Sequence, residues 1–307
     1  MTSLHITCPS CGTANGESLG RLPESEWFAG KRLQRPLAGG SLVRCRQCCL
    51  KFRFPVQSEQ HYQELYDNSV VSTWPEDSNR ADWNLISRYL SERLPQGASV
   101  LDFGCYTGGL LSRLDGGYQK YGIEINAQAA LLAAQRAKAT LWPSLAGVPE
   151  EHLFDAIIAS DVIEHMAHPR QFLEQISRHL KRNGVLVLTT GDANNSNWDR
   201  FGASWWYCFY PEHISFISRA WLDSTVDSLG LQTQHCKPFR YVTLTPPRFV
   251  LDGLLAFVYG YFPRLFLAFR SRLEAVTGAK GSRGVPGNGI SRDHLFIVLR
   301  PKVRRGQ

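Results

Sequence analysis

The chain has 307 residues, of which 43% are hydrophobic and 20% charged, a composition typical of a globular protein and not of a disordered one. Its length suffices for two or three folded units, and the absence of an apolar run at the N-terminus predicts a cytoplasmic protein. We therefore expect its eight cysteines to be thiols or metal ligands, not disulfides. The net charge of +7 is concentrated at the two ends, where it either attracts an anionic partner or is simply solvated.

The first sixty residues carry a pattern typical of a metal site. They contain two C-x-x-C pairs, formed by Cys8, Cys11, Cys45 and Cys48. Each pair can present two sulfurs to one ion, so the pairs together predict a four-thiolate structural zinc site in a unit over residues 1–60. Cys49 directly follows the second pair and is an alternative fourth ligand. Buried free thiols or a redox pair are other interpretations, the latter disfavoured because neither pair opens a helix after a strand.

Residues 61–97 are predicted to connect this unit to the remainder of the chain. The segment from Asn68 to Asn79 is polar and contains Pro75, so we expect a loop there. Ala81–Leu94 has its apolar residues on one side of a helix, which would lead into the first strand of the next unit.

From Ser99 onwards the pattern predicts a strand, a glycine turn, a short helix and a second strand. Ser99–Phe103 is a compact apolar run, and the turn GCYTGG that follows has glycines where a backbone must bend and let a ligand approach. Glu124 lies 22 residues after Asp102, at the end of the second strand. An acid at that place can accept hydrogen bonds from both hydroxyls of a ribose, so the unit predicts a nucleoside site. A unit of this shape without a ligand is the alternative.

Alternating helices and strands continue to the C-terminus. Phe154–Ser160 and Gly184–Thr190 are largely apolar without alternation, as expected of strands in a parallel sheet, and Pro169–Leu180 is predicted to be a helix between them. We therefore predict an α/β fold with a doubly wound, Rossmann-like seven-stranded sheet. Leu231–Phe239 and Phe296–Leu299 would pair as its last two strands, which makes residues 240–293 an insertion.

The insertion contains an unusually apolar stretch, Phe249–Phe269, followed by basic residues and by a glycine-rich segment over residues 278–290. Asp252 within the stretch argues against a membrane-spanning helix. One interpretation is an interfacial helix over residues 249–272 that gives peripheral contact with a membrane. Two helices that pack as a lid or as a dimer surface are the favoured alternative, and the oligomeric state stays open.

The sequence D-x-G-x-x-x-G-G that begins at Asp102 resembles the first motif of class I S-adenosylmethionine (SAM) methyltransferases, with Tyr106 in place of a glycine that many members carry. The resemblance covers about residues 80–240 and implies a SAM-binding domain over residues 98–307. The segment D-V-I-E-H, from Asp161 to His165, resembles the one that borders the methyl-transfer centre in this family. It implies that Asp161 faces the ligand; Glu164 is expected to be structural and the role of His165 is left open. The implied cofactor-binding residues are Asp102, Gly104, Cys105, Gly108, Glu124 and Asp161.

Seven aromatic residues crowd between Trp198 and Tyr210. They are predicted either to wall an acceptor site or to pack on one another as a lid. The segment Y-P-E-H that ends at His213 resembles one found in bacterial sugar- and polysaccharide-associated methyltransferases, some of which bear zinc. That resemblance implies Tyr210 and His213 as catalytic residues, with His213 as the general base.

Together these resemblances imply methyl transfer from SAM to a small or glycan-type acceptor: a sugar, a nucleotide sugar or a lipid-linked saccharide. The reaction would be an in-line displacement in which the protein mainly aligns the acceptor. Nucleic acid is an unlikely partner, although an RNA methyltransferase that uses the basic zinc unit is one alternative. A non-catalytic adaptor stabilised by zinc is another. The sequence leaves open whether oxygen, nitrogen or carbon is methylated.

Overall fold

The computed structural model describes residues 6–67, 80–241, 245–262, 265–266, 269, 272 and 291–302. The loop predicted at Asn68–Asn79 and the glycine-rich segment at residues 278–290 lie outside this part of the chain, as do several of the basic residues predicted to flank the apolar stretch.

A mostly parallel sheet of seven strands forms the centre of the molecule. Its strands are β6 (Ser99–Phe103), β7 (Gln119–Ile123), β8 (Thr140–Trp142), β9 (Phe154–Ser160), β10 (Leu180–Gly191), β12 (Leu231–Phe239) and β13 (His294–Pro301). They lie in the order β12-β13-β10-β9-β6-β7-β8, and only the pairings that involve β13 are antiparallel. The predicted doubly wound fold, with its final hairpin, is confirmed.

Helices cover both faces of this sheet: α2 (Ala81–Ser91), α3 (Gly109–Arg113), α4 (Ala127–Ala137), α5 (Pro169–Ser177) and α7 (Arg219–Thr225). Two further helices, α6 (Ser196–Phe201) and α8 (Pro246–Tyr261), pack in a separate core with the aromatic segment and the N-terminal strands. Successive strand residues point to opposite faces: Val185 and Val187 pack into the core under α2 and α4, while Leu186 and Leu188 pack into the core under α5 and α7.

Several element boundaries differ from the sequence predictions. The helix that begins at Ala81 ends at Ser91 and not at Leu94, and the last strand is His294–Pro301, longer than Phe296–Leu299. The helix that begins at Pro169 ends at Ser177, not at Leu180, and β10 already begins at Leu180. Leu180 pairs with Phe154, after which the register shifts until Val185 pairs with Ala156. Asn183 and Gly184 therefore lie in an irregularity of the strand, where the extra residues are accommodated, and do not end the helix.

The N-terminal residues form five short strands and a helix: β1 (Gly16–Arg21), β2 (Ser25–Phe28), β3 (Lys31–Leu37), β4 (Ser41–Cys45), β5 (Lys51–Phe54) and α1 (Glu59–Asp67). β1, β4 and β5 continue into β11 (Ser215–Phe216), which comes from far along the chain. The Trp221 indole N–H also donates to Ser10 Oγ at 2.9 Å, and both cysteine pairs belong to the core under α5 and α7. β1, β4 and β5 thus share a sheet with a distant part of the chain, whereas β2 and β3 pair with each other in a separate two-stranded sheet.

The insertion before β13 contains α8. Tyr259 and Leu255 on this helix pack on the aromatic segment at residues 194–217, whereas Val250, Leu254 and Phe257 are exposed. In the described part of the chain, no helix is long and apolar enough to cross a membrane.

Candidate active site

The glycine turn after β6 brings two strand ends into close contact. Gly104 has a φ of +74°, and its N–H donates to the Ile123 carbonyl at 2.8 Å. A Cβ at this position would lie 2.8 Å from Val162 Cγ2, in the segment that follows β9. Glycine is therefore required here for both the conformation and the close approach. Tyr106, two residues later, also has a positive φ, of +49°.

Glu124 joins this turn to the beginning of α4. Its Oε2 accepts from the Tyr106 N–H and its Oε1 from the Asn126 N–H, each at 2.8 Å. Each carboxylate oxygen has a second lone pair, so both remain able to accept from the hydroxyls of a ribose. Burial raises the pKa of the Glu124 carboxyl.

Two more carboxyls lie at the same edge of the sheet. Asp102 is only 3% exposed, and burial, followed by the charge of Glu124, raises its pKa to about 8. Burial also raises the pKa of Asp161, whose Oδ1 is buried without a hydrogen-bond partner among the described residues. Three such carboxyls favour a cationic ligand. SAM, which carries a sulfonium and an ammonium group, fits this set of residues.

Arg80 and Asp82, which the sequence analysis treated only as the beginning of a helix, belong to the site. The Arg80 Nη2 donates to Asp82 Oδ2 at 2.6 Å and to Asp161 Oδ2 at 2.7 Å. Its guanidinium lies 4.7 Å from the centre of the Trp83 ring, and the Tyr241 hydroxyl donates to the same Asp161 oxygen at 2.8 Å. This network holds Asp161, whose φ of +53° is unusual for a non-glycine residue.

Cys105 and Gly108 serve the packing of the turn. The Cys105 side chain is buried in the core under α2 and α4. Gly108 has a φ of +76°, and a Cβ there would lie 2.9 Å from the Ala133 Cα. These contacts explain the residue types without a ligand, so direct cofactor contact by either residue stays a prediction.

Beyond Asp161, the site continues into a group of buried polar side chains. Glu164 is 1% exposed; its Oε1 accepts from the Tyr207 hydroxyl at 2.6 Å and its Oε2 from the Thr190 hydroxyl at 2.9 Å. Burial, with a contribution from Asp161, raises the pKa of Glu164 to about 7. The Tyr207 hydroxyl in turn accepts from the Gly191 N–H at 2.9 Å.

His165 and His213 lie next to this carboxyl, with ring centroids 5.2 Å apart. The Nδ1 of His165 lies 3.0 Å from the Glu212 carbonyl and 2.7 Å from the Tyr66 hydroxyl, and the Nδ1 of His213 lies 2.8 Å from the Tyr207 carbonyl. Burial lowers the pKa of both rings, to about 4 for His165 and well below the ordinary value for His213. Both imidazoles are therefore neutral near pH 7.

Tyr210 lies beside this group, at a more exposed position. Its ring centroid is 5.2 Å from that of His213, and the residue is 45% exposed. The structure thus brings the two predicted catalytic residues together, with Tyr210 on the solvent side. Their catalytic roles stay predictions.

Arg53, from β5, holds the segment that carries His213. Its guanidinium donates to the carbonyls of Cys208, Tyr210 and His213 at 3.0, 3.2 and 3.3 Å, and to that of Gly39 at 2.9 Å. The N-terminal strands therefore build one side of the acceptor end, a relation that no local sequence pattern indicates.

Most of the aromatic segment forms a core of its own. Trp198, Trp205 and Tyr207 are buried against residues of α8 and of the N-terminal strands. Trp206 is partly buried and Tyr210 is exposed. The segment therefore packs largely on itself and its neighbours, and only its exposed edge is available to wall an acceptor.

The four predicted metal-ligating cysteines converge. The Cys8 and Cys48 sulfurs are 3.6 Å apart and those of Cys11 and Cys45 are 3.5 Å apart, within a group that spans no more than 4.8 Å. Sulfurs bound to one zinc at ~2.3 Å in a tetrahedron lie about 3.8 Å from one another. The donor set fits a structural zinc ion. Cys49 is not in the group; it has a φ of +63°, close to the +74° of Gly12 after the first pair.

Comparison with known proteins identifies the family to which the large sheet and its site belong. Residues 79–235 match the profile of a family described as a methyltransferase domain. The chain belongs to this family. Its seven-stranded sheet has the Rossmann-like fold of a methyltransferase domain.

Two curated relatives are also methyltransferases. A ubiquinone biosynthesis O-methyltransferase from Bradyrhizobium diazoefficiens is 35% identical over 114 residues, which are 34% of this chain and 43% of the relative. A tRNA U34 carboxymethyltransferase from Colwellia psychrerythraea is 27% identical over 168 residues, half of each chain. This methyltransferase thus spans half or less of the length of these relatives. Neither name is that of a sugar methyltransferase, so the sugar-associated resemblance stays a prediction.

Among solved structures, a chain in the complex between the Haloferax volcanii Trm112 methyltransferase activator and a methyltransferase matches with a TM-score of 0.51 and 14% identity. The match covers 72% of this methyltransferase and 91% of that chain. At this identity the likeness shows the fold alone.

Proposed function

We propose that this methyltransferase transfers the methyl group of SAM to a hydroxyl oxygen of a small acceptor, at the group formed by Glu164, His165 and His213. The observation that carries the proposal is the state of His213. Its Nδ1–H is directed at the Tyr207 carbonyl, so its lone pair is on Nε2, beside a second neutral imidazole and a buried carboxyl. A neutral imidazole held in this way can accept the proton of a hydroxyl group.

An oxygen acceptor suits this group better than a nitrogen acceptor does. A hydroxyl group keeps its proton at neutral pH until it reacts, so its methylation needs a basic group at the reacting atom. The burial of His165 and His213 keeps both rings neutral and available for this role. The name of the Bradyrhizobium relative, an O-methyltransferase, supports the same choice.

For the cofactor, we propose that Glu124 binds the ribose hydroxyls and that Asp102, Asp161 and Arg80 surround the methionine end. When bound, SAM supplies an electrophilic methyl group on a sulfonium. The residues of the chain orient it: Gly104 permits the turn, Glu124 holds the Tyr106 and Asn126 amides, and Arg80 holds Asp161.

We further propose that the acceptor carries an apolar chain, as a lipid-linked saccharide does. The exposed face of α8 supports this, because Val250, Leu254 and Phe257 are 61%, 60% and 57% exposed while the opposite side of the helix packs on the aromatic segment. A contiguous apolar surface of this kind is unusual on a soluble protein and often marks a lipid or protein contact.

We also propose that residues 1–60 are a unit stabilised by zinc and that residues 98–307 form the methyltransferase domain. The converging sulfurs support a closed four-cysteine site, which is typical of structural and not of catalytic zinc.

The test is transfer of a labelled methyl group from SAM to three acceptors: a lipid-linked saccharide, a phenol with a polyprenyl chain, and tRNA. We expect labelling of the first or second, and we expect His213→Asn to abolish it while S-adenosylhomocysteine still stabilises the variant. Transfer only to tRNA, with binding that weakens steeply as salt rises, would contradict the proposal and favour an RNA methyltransferase. Undiminished transfer by His213→Asn would remove His213 from the mechanism.

A further inference from the structure

The polar group at the acceptor end has the composition of a metal site distinct from the four cysteines. Glu164, His165 and His213 each offer one ligand atom, and these atoms all lie within 4.8 Å of one another. Two imidazoles bound to one ion at ~2.1 Å, at an angle of about 109°, have ring centroids about 5 Å apart. The observed separation of the two rings is 5.2 Å.

The hydrogen bonds of the two imidazoles determine which nitrogen could bind an ion. A backbone carbonyl only accepts, so the Nδ1 of His213, which faces the Tyr207 carbonyl, carries a proton. The Nδ1 of His165 lies 3.0 Å from the Glu212 carbonyl and 2.7 Å from the Tyr66 hydroxyl, and in its protonated form it donates to both oxygens. In this tautomer the lone pair of each ring is on Nε2. A ring N–H donated to a backbone carbonyl is the arrangement usually found behind a metal-bound histidine.

The carboxylate is oriented in a comparable manner. The Tyr207 and Thr190 hydroxyls each donate to one oxygen of Glu164, and the Gly191 N–H holds the Tyr207 hydroxyl in place. Carboxylates that bind metals are typically held by such hydrogen bonds. Each oxygen of Glu164 keeps a lone pair for an ion, and Tyr207 supports two of the three ligands, Glu164 through its hydroxyl and His213 through its carbonyl.

We propose that Glu164, His165 and His213 bind a divalent transition-metal cation such as Zn²⁺ or Mn²⁺. Two imidazoles and one carboxylate suit first-row divalent metals, and three protein ligands leave coordination positions open. This site differs from the four-cysteine site, whose ligands are all thiolates and leave no open position.

The catalytic use of this cation rests on the proposed function; its binding does not. A cation that accepts the acceptor hydroxyl as a ligand lowers the pKa of that hydroxyl. The hydroxyl proton leaves to solvent, the oxygen forms a bond with the methyl carbon, and the carbon–sulfur bond breaks with its electron pair passing to sulfur. While the cation is bound, the Nε2 lone pair of His213 is a metal ligand; the role of His213 as base in the proposed function belongs to the chain without the cation.

The experiment counts metal ions by mass spectrometry after dialysis of the full chain against Zn²⁺ and removal of free metal. We expect two zinc ions per chain in the wild type and one in His165→Asn and in His213→Asn. S-adenosylhomocysteine should still raise the melting temperature of both variants, which shows that they are folded. A wild type that holds one zinc ion, or variants that hold as many as the wild type, would overturn the proposal.

Two further variants test whether the second metal ion depends on these ligands and on the hydrogen bond that orients Glu164. His179 is also buried, with its Nδ1 3.1 Å from the His152 carbonyl, but it belongs to neither group of converging ligands, so His179→Asn should keep two ions.

Tyr207→Phe keeps the aromatic ring and loses the hydrogen bond to Glu164. We expect Mn²⁺ to bind this variant about 10- to 100-fold more weakly than the wild type in calorimetric titration. Unchanged Mn²⁺ affinity in Tyr207→Phe would contradict the proposed support of Glu164.

The site and the proposed function can fail separately. A second metal ion without methyl transfer to any hydroxyl acceptor would sustain the site and contradict the function. Methyl transfer that continues at full rate in EDTA, by a wild type that holds only the four-cysteine ion, would contradict the site and leave the function in place.

Discussion

Cys49 has a backbone conformation that suits glycine better than cysteine. It follows the second cysteine pair at a φ of +63°, as Gly12 follows the first pair at +74°. A side chain in this region costs about 1–2 kcal/mol, part of which is offset because glycine is more flexible in the unfolded chain.

We therefore expect Cys49→Gly to raise the free energy of unfolding by about 0.5–1 kcal/mol and to keep the zinc of the four-cysteine site. Urea unfolding and metal analysis measure both. Cys49→Ala removes the same thiol and keeps the Cβ, so it should bring no such gain. Loss of zinc in Cys49→Gly would show that Cys49, and not Cys48, is the fourth ligand.

Asp102 gives the stability of the protein a specific dependence on pH. Its carboxyl pKa is raised to about 8 in the folded protein, whereas an unfolded aspartate has a pKa of about 3.9. Between these values the folded chain holds a proton that the unfolded chain has lost. The free energy of unfolding therefore falls as pH rises through this window, by at most about 1.4 kcal/mol per pH unit from this group.

In Asp102→Asn this contribution should be absent, because asparagine does not ionise. Urea unfolding at several values between pH 5 and pH 8 should give a smaller decline for Asp102→Asn than for the wild type. Asp199→Asn, at an exposed aspartate, should keep the decline of the wild type. Parallel curves for Asp102→Asn and the wild type would show that Asp102 is ionised throughout.

At the scale of elements, Arg53 connects β5 to the segment that carries His213. The guanidinium is 7% exposed and donates to four backbone carbonyls. Arg53→Met keeps the apolar part of the side chain and leaves those carbonyls without this donor. We expect a loss of about 2–4 kcal/mol in urea unfolding, since buried polar groups without partners are costly.

Arg44→Met is the matched control for this prediction. Arg44 is exposed and pairs with Glu17 at 2.8 Å, and exposed ion pairs contribute less than about 1 kcal/mol. Equal losses in the two variants would show that the Arg53 contacts do not hold the segment.

The central strands of the large sheet could be predicted from the sequence because they are largely apolar. Phe154–Ser160 is found with its predicted bounds. Leu231–Phe239, a more polar edge strand, also has its predicted bounds. The N-terminal strands were largely missed. In β3, for example, five of the seven residues are exposed, including Lys31 and Arg35, so the strand lacks the alternation of apolar and polar residues that identifies a strand in a sequence.

Some residues of the candidate site could likewise be predicted from the sequence, and others could not. Glu124, Asp161 and His213 lie in local motifs that a sequence can display. Arg80 could not be assigned, because its partner Asp161 is 81 residues away and only the folded sheet brings the two together. The contacts of Arg53 with carbonyls more than 150 residues away are equally invisible in the sequence.

At the scale of the whole molecule, the four-cysteine site supports the acceptor end. Its cysteines share a core with α5 and α7, and Cys48 accepts a hydrogen bond from the Ser224 hydroxyl at 3.1 Å through its carbonyl. We expect Cys48→Ser to lose that zinc ion, to lower the melting temperature by about 5 °C or more, and to lose methyl transfer.

S-adenosylhomocysteine should still stabilise Cys48→Ser, because the strands before the glycine turn and before Glu124 belong to the large sheet, whereas β1, β4 and β5 belong to another sheet. Ser224→Ala, which removes the hydrogen bond and leaves the four thiols, is the control and should keep the zinc ion. Full methyl transfer by zinc-free Cys48→Ser would show that the two parts of the molecule function independently.

The most direct measurement of the central claim is a melting curve with and without S-adenosylhomocysteine, on the wild type, Glu124→Ala, His213→Asn and Glu151→Ala. At a hundredfold excess over its dissociation constant, the ligand should add about 2.7 kcal/mol to the stability of the wild type, a shift of several degrees. We predict the same shift in His213→Asn and in Glu151→Ala, whose replaced glutamate is exposed, and its loss in Glu124→Ala. No shift in the wild type, or an equal shift in Glu124→Ala, would contradict the account.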